Sequence, residues 1–115
     1  MDRFEAGWLF DFYGPLLTPH RQQVLRLYLE EDMSLGEIAQ ETGITRQGVH
    51  DALSKAQAQL ADYEDKLGLM GRYRLMQQEV AKCRLSLQRV APAEGCEGAL
   101  AQAFQALEAI ERIER

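Results

Sequence analysis

Arg46, Gln47 and His50 follow closely behind Thr45 in the run TRQGVH. A guanidinium matches the O6 and N7 acceptors of guanine, and a carboxamide matches N6 and N7 of adenine. Threonine is a good helix N-cap, so the three side chains fall in the first turns of a helix. That end of a recognition helix is the part that enters a DNA major groove. Arg21 and Lys55 are the cations placed to meet backbone phosphates. With Ser34 and Thr45 at the two helix starts, the candidate DNA contacts are Arg21, Ser34, Thr45, Arg46, Gln47, His50 and Lys55. The ordinary alternative is a solvated helix face. Asp51 on the same stretch opposes phosphate, and Gly48 supplies no contact. His50 could add pH sensitivity.

The elements that must position these residues are legible in SLGEIAQETGITRQGVHDAL, residues 34–53. Ser34 followed three residues later by Glu37 forms a capping box. Leu35, Ile38 and Ala39 then recur on one face of a short helix. Gly43 ends it, because glycine takes the left-handed conformation of a tight turn without steric cost. Ile44 packs the turn, and Val49, Ala52 and Leu53 point the second helix back at the first. The spacing predicts a helix-turn-helix.

The rest of the chain reads as helix. It has 115 residues, 46% of them hydrophobic, and only three prolines. A helix over about 3–13 presents Phe4, Trp8, Leu9 and Phe12 and stops at Gly14-Pro15. Thr18-Pro19, an N-cap followed by proline at the first helical position, opens a second helix with Val24, Leu27 and Tyr28 inward. From Val49 a heptad-like seam runs through Leu53, Ala56, Leu60, Tyr63, Leu67 and Met70. It slips at Tyr73 and Met76, then resumes at Val80, Cys83, Leu87 and Val90. The slip coincides with Gly68 and Gly71, which predict a break, kink or seam change. Unbroken helix over 46–90 would be roughly 68 Å long at about 1.5 Å per residue. A chain of this size has a radius of gyration of about 13 Å. Either the helix folds back or a second copy covers the seam, and a homodimer through this arm is expected. Residues 91–98 read as a loop. A last amphipathic helix carries Leu100, Phe104, Leu107, Ile110 and Ile113. The expected organisation is all-α: a helix-turn-helix domain over 1–67, with no wing, and a helical arm over 68–115 that continues from it.

Net charge is −5, with 13 basic and 18 acidic residues. The sign is unevenly spread: residues 1–65 sum to −7, 66–90 to +5 and 91–115 to −3. Because nucleic-acid affinity is largely phosphate electrostatics, a basic segment outside the helix-turn-helix counts against strong binding through that motif alone. Arg72, Arg74, Lys82, Arg84 and Arg89 make up the basic run. They could grip RNA or an acidic protein surface, or pair with acidic helices of the same fold or a second subunit. Phe4, Trp8, Phe12 and Tyr13 are expected in the core. Cys83 on the seam is expected to be buried and Cys96 exposed. Together with His20 and His50 they lack zinc-ligand spacing, so no metal and no cofactor is implied. No phosphate loop, nucleophile elbow or histidine–carboxylate pair points to an enzyme. No apolar run approaches a membrane span, and no signal peptide is evident, so a cytoplasmic location is expected.

The motifs LFDFYGPLLT, DMSLGEIA and TRQGVHDAL, within residues 8–70, resemble the YlxM family of small bacterial helix-turn-helix proteins. The helix-turn-helix is also similar to the promoter-reading region 4 of sigma factors. The resemblance implies an all-α, dimeric regulator. It also implies a role tied to the bacterial signal recognition particle, whose GTPase gene neighbours those of the family. Two function classes follow: a DNA-binding regulator, or an accessory that contacts the particle's protein or RNA without binding DNA. Residues 71–115 carry no motif of the family.

Overall fold

The computed structural model describes residues 2–91, 93 and 95–113. Six α-helices and no strand occur among them: α1 Arg3–Tyr13, α2 Pro19–Leu29, α3 Leu35–Thr42, α4 Arg46–Leu67, α5 Leu69–Gln88 and α6 Glu97–Ile113. Each early helix starts where a side chain satisfies an otherwise orphaned N–H. Asp2 accepts from the Glu5 N–H and Thr18 from that of Arg21, with Pro19 in the first turn of α2. A 3-10 turn over Gly14–Leu16 links α1 to α2.

The chain divides into two compact units, Met1–Met70 and Gly71–Arg115, with the division in the first turn of α5. In the first unit, α4 packs against α1, α2 and α3. Val49, Ala56 and Leu60 from α4, Val24 from α2, Ile38 from α3 and Tyr13 from α1 are fully buried, together with Leu25. Burying each aliphatic side chain of this kind contributes about 1.5–3 kcal/mol.

This packing corrects the expected arm. Val49, Ala56 and Leu60 are covered by helices of the same chain, so this stretch of the seam needs no second copy. The helix ends where a break, kink or seam change was expected: Gly68 adopts φ 64°, ψ 23° and closes α4 in the left-handed conformation. Leu67, at the end of the seam, is exposed while Met70 is buried. The break therefore sits at Gly68, and Gly71 continues within α5.

Two more expectations change. Phe4 is 82% exposed, and α1 buries Ala6, Leu9, Phe10 and Tyr13 instead. Trp8 and Phe12 are half-buried against the core. The periodicity placed Phe4 on the right helix, but at about 100° per residue it projects from the side of α1 opposite Ala6, Leu9, Phe10 and Tyr13. Cys83 is exposed, as is Cys96.

The second unit contains most of α5, and α6. Leu107 is its buried apolar residue, while Leu75, Met76, Leu85, Val90, Ile110 and Ile113 are exposed. Arg84 and Glu111 form an ion pair between the two helices. α6 begins at Glu97. Pro92 and Glu94, in the expected loop, lie outside the described residues.

Candidate nucleic-acid interface

The two helices of the motif are fixed at both ends. Ser34 Oγ accepts the Glu37 N–H at 3.2 Å, and Glu37 Oε1 accepts the Ser34 N–H at 3.2 Å, which completes the capping box. Gly43 ends α3 at φ 76°. Two residues later Thr45 Oγ1 accepts the Gly48 N–H at 2.9 Å and opens α4. Ser34 and Thr45 thus serve first as caps. Gly48 has a use the sequence left unassigned: a Cβ there would stand 3.2 Å from Thr45 Oγ1, crowding the capping hydroxyl.

From that start α4 separates its faces. Val49, Ala52, Leu53 and Ala56 turn inward, and Arg46, Gln47, His50 and Asp51 are exposed. Gln47 donates to Asp51 Oδ1 at 3.1 Å, and His50 Nδ1 lies 3.8 Å from the same oxygen. Arg46 makes no ion pair among the described residues, so its guanidinium is available to a ligand. Lys55, also exposed, lies further along the helix on the flank of this face. No acidic residue occupies the first turn of α4. The positive end of the helix dipole is therefore open to an anion.

The remaining candidates are placed differently. Arg21 is half-buried and donates through Nη1 to Gln59 Oε1 at 2.7 Å, tying α2 to α4. Gln59 in turn donates to the Tyr63 hydroxyl at 2.8 Å. Arg21 thus belongs to an internal polar chain, a role no sequence signal announced. In the second unit, Lys82 pairs with Glu79 at 3.2 Å and Arg84 with Glu111. Arg72, Arg74 and Arg89 are exposed. No group of three or more His, Cys, Asp or Glu side chains that could hold a metal occurs among the described residues.

A polar cluster the sequence did not reveal joins α1 to the end of α4. The Tyr13 hydroxyl donates to Glu64 Oε1 at 2.6 Å and accepts the Leu69 N–H at 3.0 Å. Glu64 Oε1 also accepts the Met70 N–H at 2.9 Å. Burial, then the Glu64 hydrogen bond, pushes the Tyr13 phenol above its usual pKa. These bonds satisfy the first N–H groups of α5, which follows Gly68 without a capping residue of its own.

The comparisons agree with this geometry. A family profile described as "Putative helix-turn-helix protein, YlxM / p13 like" matches residues 2–91. The chain is 51% identical over 65 residues to a UPF0122 protein of Desulforamulus reducens, covering 56% of each chain. It is 44% identical over 78 residues to one of Bacillus thuringiensis, covering 68% of this chain and 71% of that one. It is 36% identical over 96 residues to one of Geobacillus kaustophilus, covering 84% and 87%. Against the relatives from Desulforamulus reducens, Acetivibrio thermocellus and Symbiobacterium thermophilum, the chain spans 56–63% of their length. With a capped helix-turn-helix in the structure and the profile running from α1 through α5, the chain belongs to the YlxM/p13-like helix-turn-helix family.

Proposed function

We propose that this chain is a DNA-binding regulatory protein that works as a cytoplasmic homodimer in the signal recognition particle pathway. One observation carries the DNA reading: the capped start of α4 holds Arg46, Gln47 and His50 exposed side by side while the opposite face is locked into the core. Arg46 and Gln47 meet base edges, His50 sits between them and the backbone, and Lys55 meets phosphate. The exposed apolar residues of the second unit, Leu75, Met76, Leu85, Ile110 and Ile113, supply the surface for a second copy. Fluorescence anisotropy against a random duplex pool at about 50 and 200 mM salt tests the reading, because phosphate-driven binding falls steeply across that range. Binding that weakens with salt supports it, and no duplex binding at the lower salt refutes it.

The separation of charge favours a second reading. Residues 1–65 are net acidic and 66–90 net basic, so the strongest positive field lies outside the helix-turn-helix. Under that reading Arg72, Arg74 and Arg89, with Lys82 and Arg84, contact the particle's RNA or protein. The same titration with signal-recognition-particle RNA separates the two: RNA binding without duplex binding selects the accessory role.

A further inference from the structure

The side of α4 that points away from the core has a crest. At about 100° per residue, Gln47 and Asp51 lie opposite the buried Val49, Ala52, Leu53, Ala56 and Leu60. Arg46 and His50 fall on one flank of that line and Lys55 on the other. The outermost groups at the start of the recognition helix are therefore a carboxamide and a carboxylate one turn apart, both exposed. A carboxylate at this place works against phosphate, so it is costly to any binding that rests on charge alone.

The two side chains are joined. Gln47 Nε2 donates to Asp51 Oδ1 at 3.1 Å, and His50 Nδ1 lies 3.8 Å from the same oxygen. Both contacts use Oδ1. Among the described residues no hydrogen bond or ion pair uses Asp51 Oδ2 or Gln47 Oε1. Tethering one oxygen orients the carboxylate and leaves the other as an acceptor, in company with the Gln47 carbonyl oxygen. A glutamine–aspartate pair at this spacing stabilises a helix surface, and it orders both groups before a ligand arrives.

An acceptor pair selects donors. In the major groove the donors are the exocyclic amines, N4 of cytosine and N6 of adenine, whereas guanine and thymine present the acceptors O6, N7 and O4. Adenine sets its N7 acceptor beside N6, which suits a carboxamide and repels a carboxylate. Cytosine offers its amine with no acceptor beside it, and so is the base that fits an aspartate.

We infer that Asp51 is a specificity-determining residue of the DNA site, its carboxylate accepting from N4 of a cytosine while Gln47 meets a neighbouring base. The inference rests on the DNA reading above and names one base of the duplex. Arg46 and Lys55 attract every duplex through charge, and Asp51 repels those that bring it no amine. Rejecting wrong partners in this way lowers affinity for random sequence and widens the gap to the right one. The net acidity of residues 1–65 acts in the same sense.

Selection from a randomised duplex pool at about 50 mM salt tests it, with the full chain as wild type, Asp51→Ala and Asp51→Asn. Anisotropy titrations on the selected site and its single-base variants follow. The wild type is expected to select a cytosine at one position and to lose about tenfold or more in affinity when thymine replaces it. Asp51→Ala is expected to lose that penalty, to keep its other base preferences and to bind random duplex more tightly. Asp51→Asn is expected to move the preference from cytosine to adenine, because a carboxamide pairs with N6 and N7 together. Asp51 is exposed, so both variants are expected to keep the wild-type circular dichroism. A wild type that binds no duplex overturns the DNA reading and this inference with it. A wild type that binds every duplex alike overturns the inference alone, as do Asp51 variants that select the wild-type site unchanged. A folded Asp51→Ala that loses all duplexes equally also overturns it.

Discussion

Tyr13 and Glu64, 51 residues apart, share a 2.6 Å hydrogen bond in which the phenol donates. The same two side chains accept the N–H groups of Leu69 and Met70. A residue of α1 thus helps to start α5, and the last turn of α4 supplies the other half of the cap. Tyr13→Phe keeps the ring but leaves a partly buried carboxylate and an amide short of partners, which costs about 1–3 kcal/mol. Urea denaturation is expected to show a lower midpoint with an unchanged slope.

The same contact sets a pH dependence. Burial and Glu64 raise the folded-state pKa of Tyr13 above the ordinary 10.0. Above pH 10 the unfolded chain releases this proton while the folded chain keeps it, so stability falls as pH rises toward the folded value. Below pH 10 the contribution is complete. Lys66, whose pKa is raised by its hydrogen bond with Asp62, acts in the same direction but is exposed and contributes little. The wild type is expected to lose stability faster between pH 10 and 11 than Tyr13→Phe, by parallel denaturation curves.

Gly43 and Gly68 close two helices at positive φ. Alanine at either position forces a Cβ into the left-handed region at about 1–2 kcal/mol. The two are expected to differ in outcome. Gly43→Ala destabilises the turn of the motif and lowers DNA binding with it. Gly68→Ala also favours continuation of α4 into α5, and helical circular dichroism is expected to hold or rise while stability falls.

At the recognition turn, Arg46→Ala and Gln47→Ala are each expected to cost about 1–3 kcal/mol against a selected duplex and to relax preference at one base pair. Lys55→Ala is expected to weaken all duplexes alike and to lower the salt slope by about one. Arg21→Ala behaves differently, since its guanidinium is held by Gln59. It is expected to lower stability and leave the salt slope unchanged. A reduced salt slope in Arg21→Ala would mean that the guanidinium leaves Gln59 to meet phosphate.

Removing the caps separates fold from contact. Thr45→Ala frees the Gly48 N–H and is expected to cost about 0.5–2 kcal/mol of stability. Thr45→Asp retains an acceptor for that N–H but brings a carboxylate to the helix end proposed to meet phosphate. Stability near wild type with impaired duplex binding is the expected pair of readouts for the aspartate variant.

What could be read in the sequence depended on how local its cause was. Ser34, Glu37, Gly43 and Thr45 act within four residues of themselves, so the two short caps and the turn between them were legible from spacing. Val49, Leu53, Ala56 and Leu60 showed that one side of α4 is buried, but periodicity does not say what covers it. The same pattern that fits a second chain also fits α1, α2 and α3. Arg21 looked like a free cation because Gln59, its partner, lies 38 residues away and carries no charge to suggest a pair. Tyr13 looked like one more core aromatic, and only the fold reveals that its hydroxyl meets Glu64. Phe4 looked like core because an apolar residue one turn before Trp8 fits a helical period, but that period follows the side of α1 away from Ala6, Leu9, Phe10 and Tyr13.

The uneven burial has a consequence for how this sequence can drift. Fourteen of the fifteen buried apolar side chains among the described residues precede Gly71, and Leu107 alone follows it. Truncating a position such as Leu60 leaves a cavity that costs about 2–5 kcal/mol, a large share of what holds a small domain together. Most single changes after residue 71 cost a few tenths, because they touch no packed interior. Purifying selection on folding therefore bears on the first seventy residues and slackens afterwards. In the second unit the fold itself asks for few particular residues, Leu107 and the Arg84–Glu111 pair among them.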